Sequence, residues 1–566
     1  MLPKGTSDTS GSEEGGGPTV NATGPLEDEK ELARMGYKQE LKRELSLLQN
    51  FGVSFSIISV ITGVASMFLY GLNTGGPAVM VWGWVVVSFF TFVVGLAMAE
   101  ICSAHPTSGG PYYWAAMLAD PQHAAFASWT TGWFNFLGQV ACTASISFTI
   151  ANFLSTLATF DTSFVPEPRI TIGIYAGVLV LQGLINTFGV HLLKHINNVS
   201  IWWHAIGTAV VIIAVLTAAP THQSAKFVFA TFIDNTGVDG VGWGERASHA
   251  YVAVVGILTA QYSLSGFDGS AHMTEETHNA AMSGPVGIIM AIGVSAVLGW
   301  VLLLGLLFSI QDVGRTVDSP TGQPVAQIFL DTVGERGAVV LMVIVVGAMF
   351  LCGVFSVMSN SRMMYAFARD GGIPGHKFFS KVDRRHKSPT RTVWLACTLS
   401  FILGLPSLGS SVAFSAATSI STIGLYISYG IPIALRVLYG QRFKAKRGPF
   451  RLGPFSYPVA IVACLWILCI SVVFLLPQVN PVSAQTLNYA VVAVGVVVIY
   501  ALGFWVLSAR RWFVGPVKQV SIIASDTDTD TVKADDMPAS TGVLHRGIVK
   551  ETVTVAVVVR VGEHRQ

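Results

Sequence analysis

The sequence predicts an all-α integral membrane protein with twelve transmembrane helices, and three observations carry that expectation. Charged side chains are scarce: 34 Lys and Arg with 32 Asp and Glu make only 12% of 566 residues, against about 25% in soluble domains. They crowd the ends of the chain, with 15 in residues 1–50, another 15 in residues 509–566 and only 36 in the 458 residues between. That central region divides into twelve apolar stretches, each near the roughly 20 residues that a helix needs to cross a hydrocarbon core of about 30 Å. A soluble enzyme does not fit this composition, and a net charge of +2 gives no reason to expect a nucleic-acid partner. The 57 glycines suit membrane helices, which carry more Gly than soluble ones.

In order, spans 1 to 6 are expected near 51–72, 78–102, 126–158, 171–189, 199–219 and 250–276. Spans 7 to 12 are expected near 284–310, 337–367, 391–408, 411–438, 456–476 and 487–508. Spans 3, 6 and 8 exceed what one crossing needs, so part of each leaves the membrane as helix or breaks within it. Orientation follows from Lys and Arg in the short loops. With both termini inside, the outer side carries Arg169, Lys226, Arg246, Arg315 and Arg336, and the other 29 basic residues lie inside. Eight of these cluster from Arg362 to Arg391 and six from Arg436 to Arg451. The sequon Asn21-Ala22-Thr23 then sits in the cytoplasm, away from glycosylation.

Three regions result: a disordered cytoplasmic tail over 1–34, a twelve-helix domain over 35–512 and a cytoplasmic tail over 513–566. The first apolar stretch begins near Phe51, after a Gly, Ser and Glu-rich segment, so no secretory leader is expected. The run Val553 to Val561 has strand-like composition but is far too short to span a membrane. Cys102, Cys142, Cys352, Cys397, Cys464 and Cys469 all fall in or beside apolar runs, which argues against a disulfide framework or a Cys-ligated zinc site. No cofactor or metal is expected.

Two spans carry breaks in their apolar pattern. Span 1 contains Ile61-Thr62-Gly63-Val64-Ala65, and span 6 contains Ser263-Leu264-Ser265-Gly266-Phe267-Asp268-Gly269. They stand five spans apart, as two inverted five-helix repeats require, and paired broken helices expose backbone donors and acceptors at mid-membrane. Free N–H groups at a helix start suit a carboxylate, while free carbonyls at a helix end suit an ammonium. The alternative for the glycines is close helix packing. Asp268 adds a carboxylate deep in an apolar helix, which marks a functional site by default, unless it is a structurally paired end of a half-helix. Phe267 is a candidate gate ring. Asn135 and Gln139, four residues apart on one face of span 3, line the cavity or join helices by hydrogen bonds. Glu100 at the end of span 2 is expected to face water.

Four stretches resemble the amino acid, polyamine and organocation transporter superfamily. They are the span 1 break, Glu100 to Tyr113 with its Ser108-Gly109-Gly110 turn, Gly266-Phe267-Asp268 with Glu275-Glu276-Thr277, and Ser361 to Pro374 with Ala368-Arg369-Asp370-Gly371. The opening Gly36 to Arg43 and Ser54 to Ser59 are similar to its amino acid/choline branch, typified by fungal GABA and choline permeases. The resemblance covers Met35 to Trp512. It implies two inverted five-helix repeats plus two helices, and alternating-access import of amino acids or amines across a plasma membrane. Thr62, Gly63, Val64 and Ala65 would offer backbone donors to a substrate carboxylate, and Ser265, Gly266, Phe267 and Asp268 would take the amine and gate the site. Arg369 and Asp370 would pair at the inner surface.

Proton-coupled relatives follow an Asn-Asn pair on span 5 with a lysine six residues later. This chain has Asn197-Asn198 and then His204, whose ordinary pKa of about 6.5 permits proton exchange near neutrality. The expected driving force is a proton gradient with His204 as coupling group; a sodium gradient or exchange is the alternative. For substrate the order is GABA or another amino acid, then choline or a polyamine. Hydrolase, P-loop and zinc-protease motifs are missing, as is a channel filter. A nutrient receptor on a transporter scaffold is the reading from another class.

Overall fold

The computed structural model describes residues 25–160, 164–238, 240–383, 388–408 and 411–517. The sequon at Asn21 and the run Val553 to Val561 lie outside them, with the rest of residues 1–24 and 518–566. Every regular element among the described residues is helical, and the β contacts there are isolated bridges. Among the described residues, ten helices are long and apolar enough to cross a membrane.

Span 1 is two helices, α1 being reserved for the short Pro25–Arg34 before it: α2 (Leu47–Ile58) and α3 (Val60–Asn73). The α2 start is a capping box, with Ser46 and Gln49 exchanging side-chain to backbone hydrogen bonds. Span 2 is α4 (Gly76–Ala104), entered through Gly75 at φ 90° and Gly76 at φ 63° with Pro77 in the first turn. The Ser-Gly-Gly turn, with Gly110 at φ 52°, leads into α5 (Pro111–Leu118). Spans 3, 4 and 5 are α6 (Ala124–Leu157), α7 (Pro168–Phe188) and α8 (Val190–Ala218). Span 6 is split into α9 (His249–Gly256), α10 (Leu258–Ser263) and α11 (Gly269–His272). Spans 7 and 8 are α12 (Ala280–Phe308) and α13 (Pro324–Arg369), the latter 46 residues long and interrupted at Gly334, φ 70°. Spans 9 to 12 are α14 (Thr390–Gly404), α15 (Ser411–Leu438), α16 (Ser456–Val473) and α17 (Ala490–Leu507). Of the three overlong spans, α6 runs unbroken, span 6 breaks, and α13 kinks.

The helix α6 lies in the middle of the bundle, packed on α5, α13, α14 and α15. Its crossing with α15 needs glycine: a Cβ on Gly138 would lie 2.6 Å from the Leu425 backbone nitrogen, and one on Gly424 would lie 2.9 Å from that of Gly138. Small residues let membrane helices approach this closely.

The end of the bundle that carries α1 is closed by buried charges. Arg369 grips Glu275 with two nitrogens at 3.1 and 3.2 Å, and Arg362 donates to Glu276 at 2.8 Å. The Arg43 guanidinium reaches the carbonyls of Thr274 and Thr277 at 3.1 and 2.6 Å. Tyr37 and Tyr112 both donate to Asp370, at 2.8 and 2.9 Å, and the Arg369 guanidinium stacks 3.9 Å over the Tyr37 ring. Burial pushes the Asp370 carboxyl above its usual range, against the pull of Arg369 and the two tyrosines. Thus Arg369 and Asp370 do not pair with each other as expected; consecutive helical residues do not face each other, and each finds a separate partner.

Two further expectations are corrected here. Residues 25–34, assigned to a disordered tail, form α1, because Leu32 is buried and Asp28 accepts the Asn279 and Ala280 N–H groups at 2.8 and 3.2 Å, capping α12. Glu100 is buried rather than water-exposed, because Arg436 and the Ser456 hydroxyl reach its carboxylate across the bundle. At the other tail, Phe513 packs edge-on 5.1 Å from Trp129.

Removing one partner of a buried pair costs about 3–5 kcal/mol, because the other charge is left uncompensated. Glu275→Gln is therefore expected to unfold at markedly lower temperature in detergent, and Glu275→Leu combined with Arg369→Met to recover most of that loss. Thermal unfolding followed by size-exclusion chromatography checks both, and a Glu275→Gln protein as stable as the parent would contradict the role of the pair.

Candidate functional site at the helix breaks

Burying a helix break leaves N–H and C=O groups that the helices cannot satisfy. In span 1 the break lies at Ser59, φ 35° and ψ 73°, and not at Gly63. The left-handed conformation costs a non-glycine residue roughly 1–2 kcal/mol. Ser59 offsets it through its hydroxyl, 2.6 Å from the Thr62 hydroxyl and 2.9 Å from His204 Nε2. The Thr62 and Gly63 N–H groups turn back to the Ser59 carbonyl at 2.8 and 3.0 Å. The first-turn amides of α3 left over are those of Val60 and Ile61, one step before the donors expected at Thr62 to Ala65. Val64 and Ala65 lie further along α3, buried.

The glycine in span 1 serves packing instead. A Cβ on Gly63 would lie 2.6 Å from the Ser263 hydroxyl and 2.7 Å from its Cα, so α3 and α10 touch there backbone to backbone. In span 6 the chain leaves α10 through Leu264 and Ser265, turns at Gly266 with φ 91°, and re-enters helix after Asp268. Gly266 is required twice over, by its φ and by Ile57 Cγ2 lying 2.5 Å from where a Cβ would be.

Polar side chains of α2 hold this turn. The Ser54 hydroxyl donates to the Phe267 carbonyl at 2.8 Å and accepts the Ser270 N–H at 2.8 Å. Asn50 donates to the Ser270 carbonyl at 3.0 Å and its own carbonyl takes the Ser270 hydroxyl at 3.0 Å. Between the breaks lies a cavity of only about 10 Å³, bordered by Ile58, Thr62, Gly63, Ser263, Ser265 and Cys142. That is room for about one water, far below the roughly 300 Å³ of an ordinary small-molecule site. The helices are closed around the site.

Beside this cavity, Asp268 is fully buried. Gln139 Nε2 donates to its Oδ2 at 2.8 Å, Asn135 Nδ2 stands 3.5 Å from the same oxygen, and Asn135 also donates to the Ser428 hydroxyl at 3.0 Å. Oδ1 makes no hydrogen bond of full geometry, and the Tyr429 hydroxyl stands close enough to interact with this carboxylate. Phe267, also buried, stands with its ring 5.2 Å from Tyr429 and 6.2 Å from Tyr426. Tyr426 in turn accepts a hydrogen bond from Gln261 at 2.5 Å.

The structure therefore brings Thr62, Gly63 and Ser265 to one cavity and Asn135, Gln139 and Asp268 to one cluster next to it. His204 belongs to neither: its Nδ1 lies 2.8 Å from the Ser200 carbonyl and its Nε2 on Ser59, which ties α8 to the break in span 1. Sequence reasoning missed Ser59, His272, Tyr426 and Tyr429. Of these, His272 had a legible signal, four residues after Asp268 in a helical segment.

Comparison with known proteins is consistent along nearly the whole chain. The family model described as amino acid permease matches residues 45–499. Amino-acid permease BAT1 of Arabidopsis thaliana is 43% identical over 503 residues, covering 86% of this chain and 96% of its own. Its homolog in Oryza sativa subsp. japonica is 43% identical over 519 residues, covering 89% and 96%. A GABA-specific permease of Saccharomyces cerevisiae is 32% identical over 525 residues, covering 91% and 90%.

The contact at Gly63 yields a test of the site. Gly63→Leu forces α3 from α10 against backbone, and is expected to abolish solute uptake while the protein still reaches the membrane. Near-normal uptake, measured beside surface or membrane abundance, would remove this contact from the working site.

Proposed function

The chain belongs to the amino acid permease family, and from that premise we propose that it is a secondary active permease importing a small zwitterionic amine by alternating access. The observation that carries the reading is the unpartnered Asp268 Oδ1, buried where two interrupted helices meet. An acceptor oxygen in that setting suits the ammonium of a substrate, while the Val60 and Ile61 amides at the start of α3 suit its carboxylate. Thr62, Gly63 and Ser265 border the space between these two ends; Val64, Ala65, Gly266 and Phe267 support it. Asn135 and Gln139 orient Asp268 from α6.

The broken α9–α11 segment and the 15-residue α14 join the ten membrane-length helices to make twelve spans, arranged as two inverted five-helix repeats and two more. Both termini are cytoplasmic, in keeping with the loop distribution of Lys and Arg, and import places the protein in the plasma membrane. GABA or another amino acid is the substrate, and a proton gradient drives it. Phe267, Tyr426 and Tyr429 beside Asp268 favour a second reading, since aromatic faces bind quaternary ammonium groups such as that of choline.

Radiolabelled GABA uptake into liposomes containing the full chain, under imposed pH or sodium gradients, checks the proposal. Accumulation driven by the pH gradient and blocked by amino acids is the expected outcome. Asp268→Asn should reduce that uptake severely. Choline uptake without GABA uptake would overturn the substrate, and sodium-driven uptake would overturn the coupling.

A further inference from the structure

His272 is a buried titratable residue that the proposed reading leaves unused. It closes α11, and its Nε2 lies 3.3 Å from Asp268 Oδ2, with both side chains fully buried. Its Nδ1 lies 2.9 Å from the Ser108 carbonyl oxygen. A carbonyl oxygen only accepts, so Nδ1 carries a hydrogen. Nε2 itself makes no hydrogen bond, so the contact is one of charge. A neutral ring beside an ionised carboxylate leaves that buried charge uncompensated, and an imidazolium compensates it. Imidazolium with carboxylate is electrically neutral and holds one proton.

Among the described residues, the other charges near the pair are engaged elsewhere, Arg43 by the Thr274 and Thr277 carbonyls. The helices α2, α6 and α12 contain no acidic or basic residue. On α13, Arg362 and Arg369 are engaged by Glu276 and Glu275, and Glu275 also accepts the Ser108 N–H at 3.1 Å. On α4, Glu100 is engaged by Arg436 of α15. Nearby Tyr429 of α15 and Cys102 of α4 are neutral side chains, and Tyr112 of α5 donates to Asp370.

We infer that Asp268 and His272 jointly hold the transported proton, with His272 the coupling residue and His204 outside the proton route. The inference rests on the proton-coupled reading. His204 contacts a carbonyl through Nδ1 and a hydroxyl through Nε2; a neutral ring satisfies both, and no carboxylate touches it. At Asp268 the charge balance differs. A zwitterion adds no net charge when its ammonium meets Oδ1, so the loaded site is neutral with His272 protonated and carries −1 without that proton. A buried uncompensated charge is strongly disfavoured, so a closed site that holds the zwitterion holds the proton too. No covalent bond changes; the pair takes its proton while water reaches it from one side, keeps it as the helices close, and releases it once water reaches the carboxylate from the other. The Ser108 peptide, accepting from His272 and donating to Glu275, links the pair to the closed end of the bundle.

The test compares two activities in liposomes containing the full chain: GABA accumulation under a pH gradient, and counterflow exchange without one. For His272→Gln and His272→Asn, the ratio of accumulation to exchange should fall to its value without a gradient, and exchange should lose its pH dependence. For His204→Gln that ratio should match the parent. A parental ratio in both His272 variants would overturn the inference, and so would loss of both activities in both, since a coupling residue is dispensable for exchange. A parent protein that ignores the pH gradient and follows sodium would overturn the proton-coupled reading itself, and the assignment with it.

Discussion

Every part of the site depends on one requirement: the backbone groups released by two helix breaks must be satisfied inside an apolar bundle. In span 6 the solution is a polar edge on α2. Asn50 and Ser54 stand one turn apart, and between them they take or give four hydrogen bonds to the segment from Phe267 to Ser270. In span 1 the Thr62 and Gly63 N–H groups turn back to the Ser59 carbonyl while the Val60 and Ile61 amides are left over, and α8 braces the break through side chains, His204 meeting Ser59 and Ser200 meeting Ser56 at 2.6 Å. As a result α2 is bonded both to α11 and to α8, and the two breaks are held in fixed relation. A substrate reaching from one to the other would meet a preorganised pair of ends.

The charged closure at the α1 end follows from the same economy of partners. Ion pairs buried this deeply give little net stability, since desolvation cancels most of the attraction. Their value lies in specificity: Arg369 fits Glu275 in one geometry, and Tyr37, Tyr112 and the Val517 N–H all converge on Asp370. These contacts join the N-terminal segment, α5, the turn after α11, α13 and the chain after α17. Opening that end would have to separate all of them together. A closure of this kind favours a switch between two discrete arrangements over gradual loosening.

Much of this was legible before any coordinates. Hydropathy and charge scarcity are bulk properties of each span, so they located the ten membrane-length helices, the interruption of span 6 and the cost of Asp268. Helical spacing put Asn135 and Gln139 on one face, and the structure turns that face toward Asp268. What stayed hidden depended on partners far apart in the chain. Gly63 looked like the break in span 1 because glycine is the usual tolerant residue, yet Ser59 bends there with support from His204, 145 residues away. Glu100 looked exposed because Arg436 is 336 residues distant. Residues 25–34 looked disordered by composition, but composition is silent about Asp28 meeting the start of a helix 251 residues on.

Two buried histidines, apparently alike in sequence, separate on the chemistry of what they touch. A ring between a carbonyl and a hydroxyl is complete when neutral, and its proton has nothing to neutralise. A ring between a carbonyl and a carboxylate is incomplete without its second proton, because the alternative leaves the carboxylate charge 3.3 Å away uncompensated. The spacing from Asp268 to His272, one helical turn, keeps that contact within a single short element. Movement of α11 as a body would therefore carry the shared proton along unchanged. Only a change in water access alters the balance of charge at the pair, since an arriving zwitterion adds none. On that view the proton and the amine do not compete for one atom: they occupy the two oxygens of the same carboxylate, which is the simplest way for one buried charge to count both.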